Sequence, residues 1–370
     1  IAAGKTYKGF MRNINMDVLR GIAVLGLMFM NIYTFAVFEY DYTPSATPPF
    51  SDSLIFTINT VFIDGRFRSL FCLLFGASLV IQWQLWQNVE KQHKRLKVLA
   101  FIGLAHGFLL WAGDILFIYA CAGWLTLKFS QQDEEKNLRM GMLFLLLGAF
   151  ISFLLAFVEP DFNPVTRSSE SFLMAYDAAY SSYFAGFVSN FLIFIIMLIA
   201  VPLITVWMAA GLMLVGVYLY KQGVFVQGLT HSQLKLITAA AISFTALRLM
   251  IEPDQSVFMY AIAEPINWLA ALAMAICYCH IIVKIVKNSP SNWLLLQQAG
   301  RMSLTLYLMQ TVIFILFFKV AYPTAALNFD RLDYWLVIAF VLVFQLFFCK
   351  VYSQYFTHGP CELIWRKLSR

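Results

Sequence analysis

Apolar runs of membrane-spanning length alternate with short polar clusters along almost the whole chain. About 20 residues of helix cross roughly 30 Å of hydrocarbon, and about ten runs meet that need. They cover approximately 15 to 38, 53 to 86, 97 to 112, 114 to 129, 139 to 158, 188 to 220, 235 to 252, 256 to 286, 302 to 322 and 333 to 353. The second is too long for one straight span, since its roughly 34 residues would reach about 50 Å as one helix. A separate half-helix over 53 to 64, ending at Gly65, is therefore predicted. The runs are continuous rather than alternating, which favours helices over barrel strands, because in hydrocarbon every backbone amide needs an internal partner. The predicted fold is all-α, a polytopic transmembrane helix bundle.

Composition agrees with that pattern and excludes a soluble fold. With 61% hydrophobic and 12% charged residues, a chain of this length has too little polar surface to face water. The net charge of +6 does not point to nucleic acid, because the cations fall in short clusters between apolar runs, where they mark the cytoplasmic side. Those clusters hold Lys5, Lys8 and Arg12; Lys91, Lys94, Arg95 and Lys97; Lys128, Lys136 and Arg139; Lys221 and Lys235; Lys284, Lys287 and Arg301; and Arg366, Lys367 and Arg370. The alternate segments are acidic and nearly lysine-free, with Glu39, Asp41 and Asp52, then Glu159, Asp161, Arg167, Glu170 and Asp177, then Glu252 and Asp254, then Asp330, Arg331 and Asp333. Both ends are thus expected in the cytoplasm (N-in, C-in), with the membrane crossed many times.

Three parts are expected: a membrane half over 1–158, an extracytoplasmic connection over 159–187 whose second half forms an interfacial helix, and a membrane half over 188–370. The six cysteines show no paired zinc-type spacing, and no metal is expected.

Ionisable groups within spans mark either function or a paired lock between helices. Asp17 and Arg20 are three apart and share one face of the first span. Arg66 and Arg68 stand at the outer mouth of the second, about 200° apart unless the helix begins between them. His106 lies nine residues beyond Lys97, about 13 Å into the membrane. Asp114 is expected to cap the helix of the fourth run. About 12 Å of helix separates it from His106 along the axis, so no direct contact is expected. Glu264 precedes Pro265, and Ser303, Tyr307 and Gln310 form a polar stripe on the ninth run. Each group could instead pack or pair between helices; together, four polar stripes suggest a cavity.

The segments Asn15-Met16-Asp17-Val18-Leu19-Arg20-Gly21, Gly65-Arg66-Phe67-Arg68-Ser69, Gly103 to His106, Ala299-Gly300-Arg301-Met302-Ser303 and Gly359-Pro360-Cys361-Glu362-Leu363-Ile364-Trp365-Arg366 resemble those of the YeiB-type bacterial membrane proteins. The C-terminal half of that family is a domain of unknown function. The N-terminal half, with its Asp-x-x-Arg-Gly opening, is similar to membrane acetyltransferases that acetylate the terminal glucosamine of heparan sulfate.

That resemblance implies transfer of an acyl group from acyl-CoA to a carbohydrate or lipid acceptor beyond the cytoplasm. Those acetyltransferases carry a catalytic histidine in the outer region after their first span. This chain has none between Asn31 and Gly65, and His106, at midplane depth, is the candidate to take that role as general base. Arg66 or Arg68 would hold an anionic group, and Glu264, Tyr307 or Gln310 would position the acceptor. Asp17, Arg20 and Asp114 complete the expected binding residues. The alternative is a transporter or lipid-handling protein without chemistry. Membrane lipids, the acceptor and a second copy of the chain are the expected partners, with no nucleic acid.

Overall fold

The computed structural model describes residues 13–157, 165–251 and 256–369. Lys5, Lys8, Arg12, Glu159, Asp161, Glu252, Asp254 and Arg370, used above to orient the spans, lie outside the described residues.

All regular structure among the described residues is helical. The first span is broken into α1 (Ile14–Gly26) and α2 (Met28–Ala36). The second is α3 (Phe50–Ile58), a π-helical turn and then α4 (Arg66–Trp86), so the half-helix expected before Gly65 is present. There follow α5 (Val89–Leu109), α6 (Leu116–Ser130) and α7 (Glu134–Leu155). The described part of the connection between the halves forms α8 (Glu170–Tyr180), where the expected interfacial helix would lie. The second half comprises α9 (Tyr183–Lys221), the short α10 (Val224–Gln227), α11 (His231–Ile251) and α12 (Val257–Asn288). It closes with α13 (Leu294–Arg301), α14 (Ser303–Ile315), the short α15 (Ala325–Asn328), α16 (Arg331–Tyr352) and α17 (Pro360–Leu368).

Nine stretches among the described residues are long and apolar enough to cross a membrane, and two of them are the halves of α9. Eight of the ten expected spans correspond to these stretches, with α9 taken once; the other two are the helices of the α5–α6 hairpin, which are not among the nine. α5 is excluded from the nine by its charged first turns, and α6 by its length.

The two halves of α9 differ in environment. Only 6% of Tyr183–Ala200 is buried against 61% of Pro202–Lys221, so the first half stands on the outside of the bundle and the second is a central strut packed on α4, α6 and α7. With no hydrophobic drive between helices in lipid, such contacts rest on close packing and hydrogen bonds.

The lysine-rich turns meet at one end of the bundle. Lys221 donates to the Ser130 and Gln132 carbonyls, Trp365 to the Arg95 carbonyl, and Asn13 to the Phe225 carbonyl. At the other end Arg167 pairs with Asp330 at 2.8 Å, Asp52 accepts from the Arg331 amide, and Tyr180 donates to the Ala36 carbonyl. These are called the basic and acidic ends below.

Candidate functional site

The site begins with a turn. α5 stops at Leu109, and the amides of Leu110 and Trp111 both return to the His106 carbonyl. The chain then folds back instead of continuing along the axis, so Asp114 comes level with His106. Asp114 Oδ1 lies 2.9 Å from His106 Nδ1, and Oδ2 accepts from the Phe117 amide at 2.9 Å, capping α6. The expected cap is present. The expected separation from His106 is wrong, because only three of the eight intervening steps are helical. Gly103 makes the return possible: a Cβ there would press into Asp114 Oδ2 and the backbone of Leu116 and Phe117.

The pair is almost dry. His106 is 3% and Asp114 5% exposed. His106 Nε2 meets Thr311 Oγ1 at 3.0 Å. A neutral ring held this way carries its proton on Nδ1, facing the carboxylate, and leaves Nε2 to accept the Thr311 hydroxyl proton.

Two cavities approach this pair. One, of about 290 Å³, opens among Arg20, Arg95, Arg301 and Arg366 at the basic end and runs inward to Ile115, Tyr119 and Tyr307. The second, of about 220 Å³, is lined by Arg68, Asp114, Ile115 and Tyr119 together with residues from both halves of α9, among them Phe194 and Met208. Ile115 and Tyr119 line both, so they form a partition one side chain thick. Tyr307 stands on the first side with its hydroxyl 3.4 Å from the Ile115 amide, and its ring centroid is 5.4 Å from that of His106. Asp114 faces the second cavity, whereas His106 lies behind it and lines neither. A third cavity, about 470 Å³, sits at the acidic end under α8 and shares Phe38 with the second.

The other residues singled out in the sequence are dispersed. α4 begins at Arg66, so both arginines turn toward α12. Arg66 is 0% exposed and bonds Asn267 Oδ1 at 2.5 Å, Thr245 Oγ1 at 3.5 Å and the Asp64 carbonyl. It lines none of these three cavities and locks α4 to α11 and α12. Arg68 lies 3.8 Å from Glu264, whose side chain is 49% exposed, bonds Trp268 Nε1 and lines a separate cavity near Arg248. Gln310 is spent on Gln345 and the Val24 carbonyl. The four polar stripes therefore build several sites, not one pocket.

Residues 219–370 match the family described as "Protein of unknown function (DUF418)". The C-terminal region is a DUF418 domain. The chain is also similar over nearly its whole length to the "Uncharacterized protein YeiB" of Escherichia coli (strain K12), at 28% identity covering 97% of this chain and 96% of that protein. Similarity to the "Uncharacterized protein YxaH" of Bacillus subtilis (strain 168) is 24%, covering 95% and 92%. For the "Uncharacterized 39.9 kDa protein in amylase 3'region" of Bacillus acidopullulyticus it is 25%, covering 96% and 92%. No solved structure matches the chain.

The DUF418 region completes a site begun by the N-terminal half. Asp17 bridges Arg20, at 3.0 Å, and Arg301 of the DUF418 region, at 3.6 Å. Arg20 also donates to Ser78 at 2.9 Å. The backbones of α1 and α13 touch here through Gly21 and Gly300, each lodged against the other helix's main chain. A Cβ on Gly300 would overlap the Asp17 carbonyl. Gly300→Ala is expected to separate the helices and destabilise the protein by about 1–3 kcal/mol, as overpacking does, read as a lower midpoint of thermal unfolding in detergent.

The closing Gly-Pro-Cys-Glu segment of the DUF418 region supplies the cap of a helix far upstream, α14. α14 has no side-chain cap of its own. Glu362 of α17 takes that place, accepting from the Leu304 and Thr305 amides at 2.7 and 3.2 Å and from Thr305 Oγ1 at 2.5 Å. A carboxylate at a helix N-terminus also complements the helix dipole. Burial nevertheless outweighs these bonds and raises the Glu362 carboxyl above the usual carboxylate range.

The folded state thus holds this proton more tightly than the unfolded chain. The associated stability is present below the ordinary carboxylate pKa and lost as pH rises through the raised value. Attachment of α17 is expected to loosen over that interval, visible as rising proteolytic release of the C-terminal helix, and Glu362→Gln should flatten the profile.

Arg95, Arg301, Arg366, Thr311 and Glu362 escape the sequence reading as site residues. The three arginines read there as topology markers, and that same role brings them to one mouth.

Proposed function

We propose that this protein is an acyltransferase of the bacterial inner membrane that passes an acyl group from acyl-CoA, entering at the cytoplasmic basic end, to a hydroxyl or amine of a carbohydrate or lipid acceptor on the other side. The observation that carries the reading is the pair of cavities divided by Ile115 and Tyr119, with the Asp114–His106 pair at the partition. A carrier needs one site exposed alternately, whereas two substrates meeting at a buried proton acceptor suit group transfer.

In this reaction an acceptor hydroxyl in the second cavity donates to Asp114, which shares its charge with His106. The acceptor oxygen bonds to the acyl carbon as its proton passes to the Asp114–His106 pair, and Tyr307 donates to the carbonyl oxygen as charge builds there. The carbon–sulfur bond then breaks, and the thiolate takes that proton and leaves as free coenzyme A. Tyr119 and Ile115 must part for the two substrates to touch.

The test is release of free thiol from acetyl-CoA by the purified protein in detergent, with extracted bacterial membrane lipids and carbohydrates as acceptor source. Thiol release that depends on both acetyl-CoA and the extract supports the reading. No release with acyl chains from two to sixteen carbons (roughly the range of common thioesters) would end it.

A further inference from the structure

We infer that the arginine mouth at the basic end binds the phosphate groups of the donor, so that Arg20, Arg95, Arg301 and Arg366 select a nucleotide-borne thioester over a free acyl group. This rests on the acyl-transfer reading and names the part of the protein that recognises the donor's head. Of the arginines first expected to hold an anion, Arg66 is engaged with α12, and Arg68, 3.8 Å from Glu264, lines the second cavity and not this one. The mouth draws its four guanidiniums from α1, α5, α13 and α17, elements far apart in sequence, and aims them at one cavity. Guanidinium is the side chain that matches phosphate with forked, charge-assisted hydrogen bonds.

Two carboxylates nearby among the described residues, Asp17 and Glu362, do not cancel this charge. Asp17 is shared between Arg20 and Arg301, and Glu362 is turned to the amides of α14. Arg95 is held in place from two sides, 4.2 Å from the Trp365 ring and 5.2 Å from the Trp86 ring, with its Nε buried and lacking a hydrogen-bond partner among the described residues. A cation pinned on indoles with an unused donor is preorganised for an incoming anion.

Shape adds a second, independent argument. On α4 the lining runs from Trp86 at the mouth to Phe71 at the inner end, about 22 Å of helix. Beyond the arginines the walls are apolar, with Leu74, Phe75, Leu99 and Leu116. A charged mouth on a long apolar bore fits a ligand with a phosphorylated head and an extended, weakly polar arm. Such an arm would carry the thioester to Tyr307 and the partition.

The phosphate chemistry alone is shared by a nucleotide thioester and by an anionic lipid headgroup, and the experiment separates them. Binding of coenzyme A, of dephospho-coenzyme A and of phosphatidylglycerol nanodiscs is measured by calorimetry or thermal shift. The proteins compared are the full chain, Arg95→Gln, Arg366→Gln, the charge-retaining Arg95→Lys, and Lys136→Gln as an exposed control at the same end. The expected result is saturable coenzyme A binding, weaker for the dephospho form and about ten-fold weaker or more in each glutamine variant, with Arg95→Lys intermediate and Lys136→Gln unchanged.

Absence of coenzyme A binding, or equal binding by all variants, would overturn the assignment. So would stabilisation by phosphatidylglycerol alone that is lost with Arg95, which would make the mouth a headgroup site. Arginine-dependent coenzyme A binding without any transfer would leave the mouth standing and remove the transferase reading. Transfer at unchanged KM in the glutamine variants would do the reverse.

Discussion

Asp114→Asn is expected to lower acyl transfer by about 10²- to 10⁴-fold, the usual worth of a positioned proton acceptor, while the protein still folds and still binds coenzyme A. The carboxylate makes two bonds in different directions, one to the His106 ring and one to the Phe117 amide. Asparagine can accept only on its oxygen. If that oxygen keeps the α6 cap, its amide faces Nδ1 and drives the ring proton to Nε2, against Thr311. His106→Gln preserves a polar side chain between Asp114 and Thr311 but cannot hold a proton, so a similar loss is expected.

Thr311→Val, which removes only the Nε2 partner, should cost less and alter the pH profile more than the rate. The check is initial-rate measurement of thiol release across pH, together with size-exclusion profiles of each variant. Full activity of Asp114→Asn would remove the pair from the chemistry.

The second large effect concerns stability. Arg66→Ala is expected to destabilise the protein by about 3–5 kcal/mol, because it strips the partner from polar groups sealed in the membrane. Asp64, Asn267 and Thr245 converge on this guanidinium, and Asn267 Nδ2 also bonds Asp64 Oδ2 at 3.1 Å. Arg66→Lys should not rescue, since an ammonium cannot serve all three directions at that depth. Glu264→Gln, on a half-exposed side chain near Arg68, should change stability by less than about 1 kcal/mol. Thermal unfolding followed by tryptophan fluorescence in one detergent compares the three.

Most of the spans and the broken second run were legible in the sequence, because each follows from the length of an apolar run measured against bilayer thickness, and the α3–α4 break is the example. A helix in the connection between the halves was also expected, and α8 is there. Clustering of the cations was also legible, and the structure places Arg95 and Arg366 at one end with Trp365 between their helices. The distance from His106 to Asp114 was not. Helical rise is a sound ruler only while the helix lasts, and α5 ends three residues after His106.

The node at Asp17 was half legible. Its bond to Arg20 follows from a spacing of three, but its bond to Arg301 closes across the whole chain through two glycines. Gly21 and Gly300 signalled a close approach without naming each other. The role of Glu362 was hidden for the same reason: it caps a helix that lies more than fifty residues upstream. Arg66 misled because a buried, satisfied arginine and a ligand-binding arginine look alike in sequence, and only the positions of Asn267 and Thr245 tell them apart.

The most direct test of group transfer between two sides is sidedness. The protein is reconstituted in proteoliposomes of defined orientation containing the acceptor extract, and radiolabelled acetyl-CoA is supplied from one side at a time. The expected result is label in the acceptor fraction, with release of free coenzyme A, only when the donor is on the side that carries α17. Transfer from the opposite side, or equal transfer from both, would contradict the account.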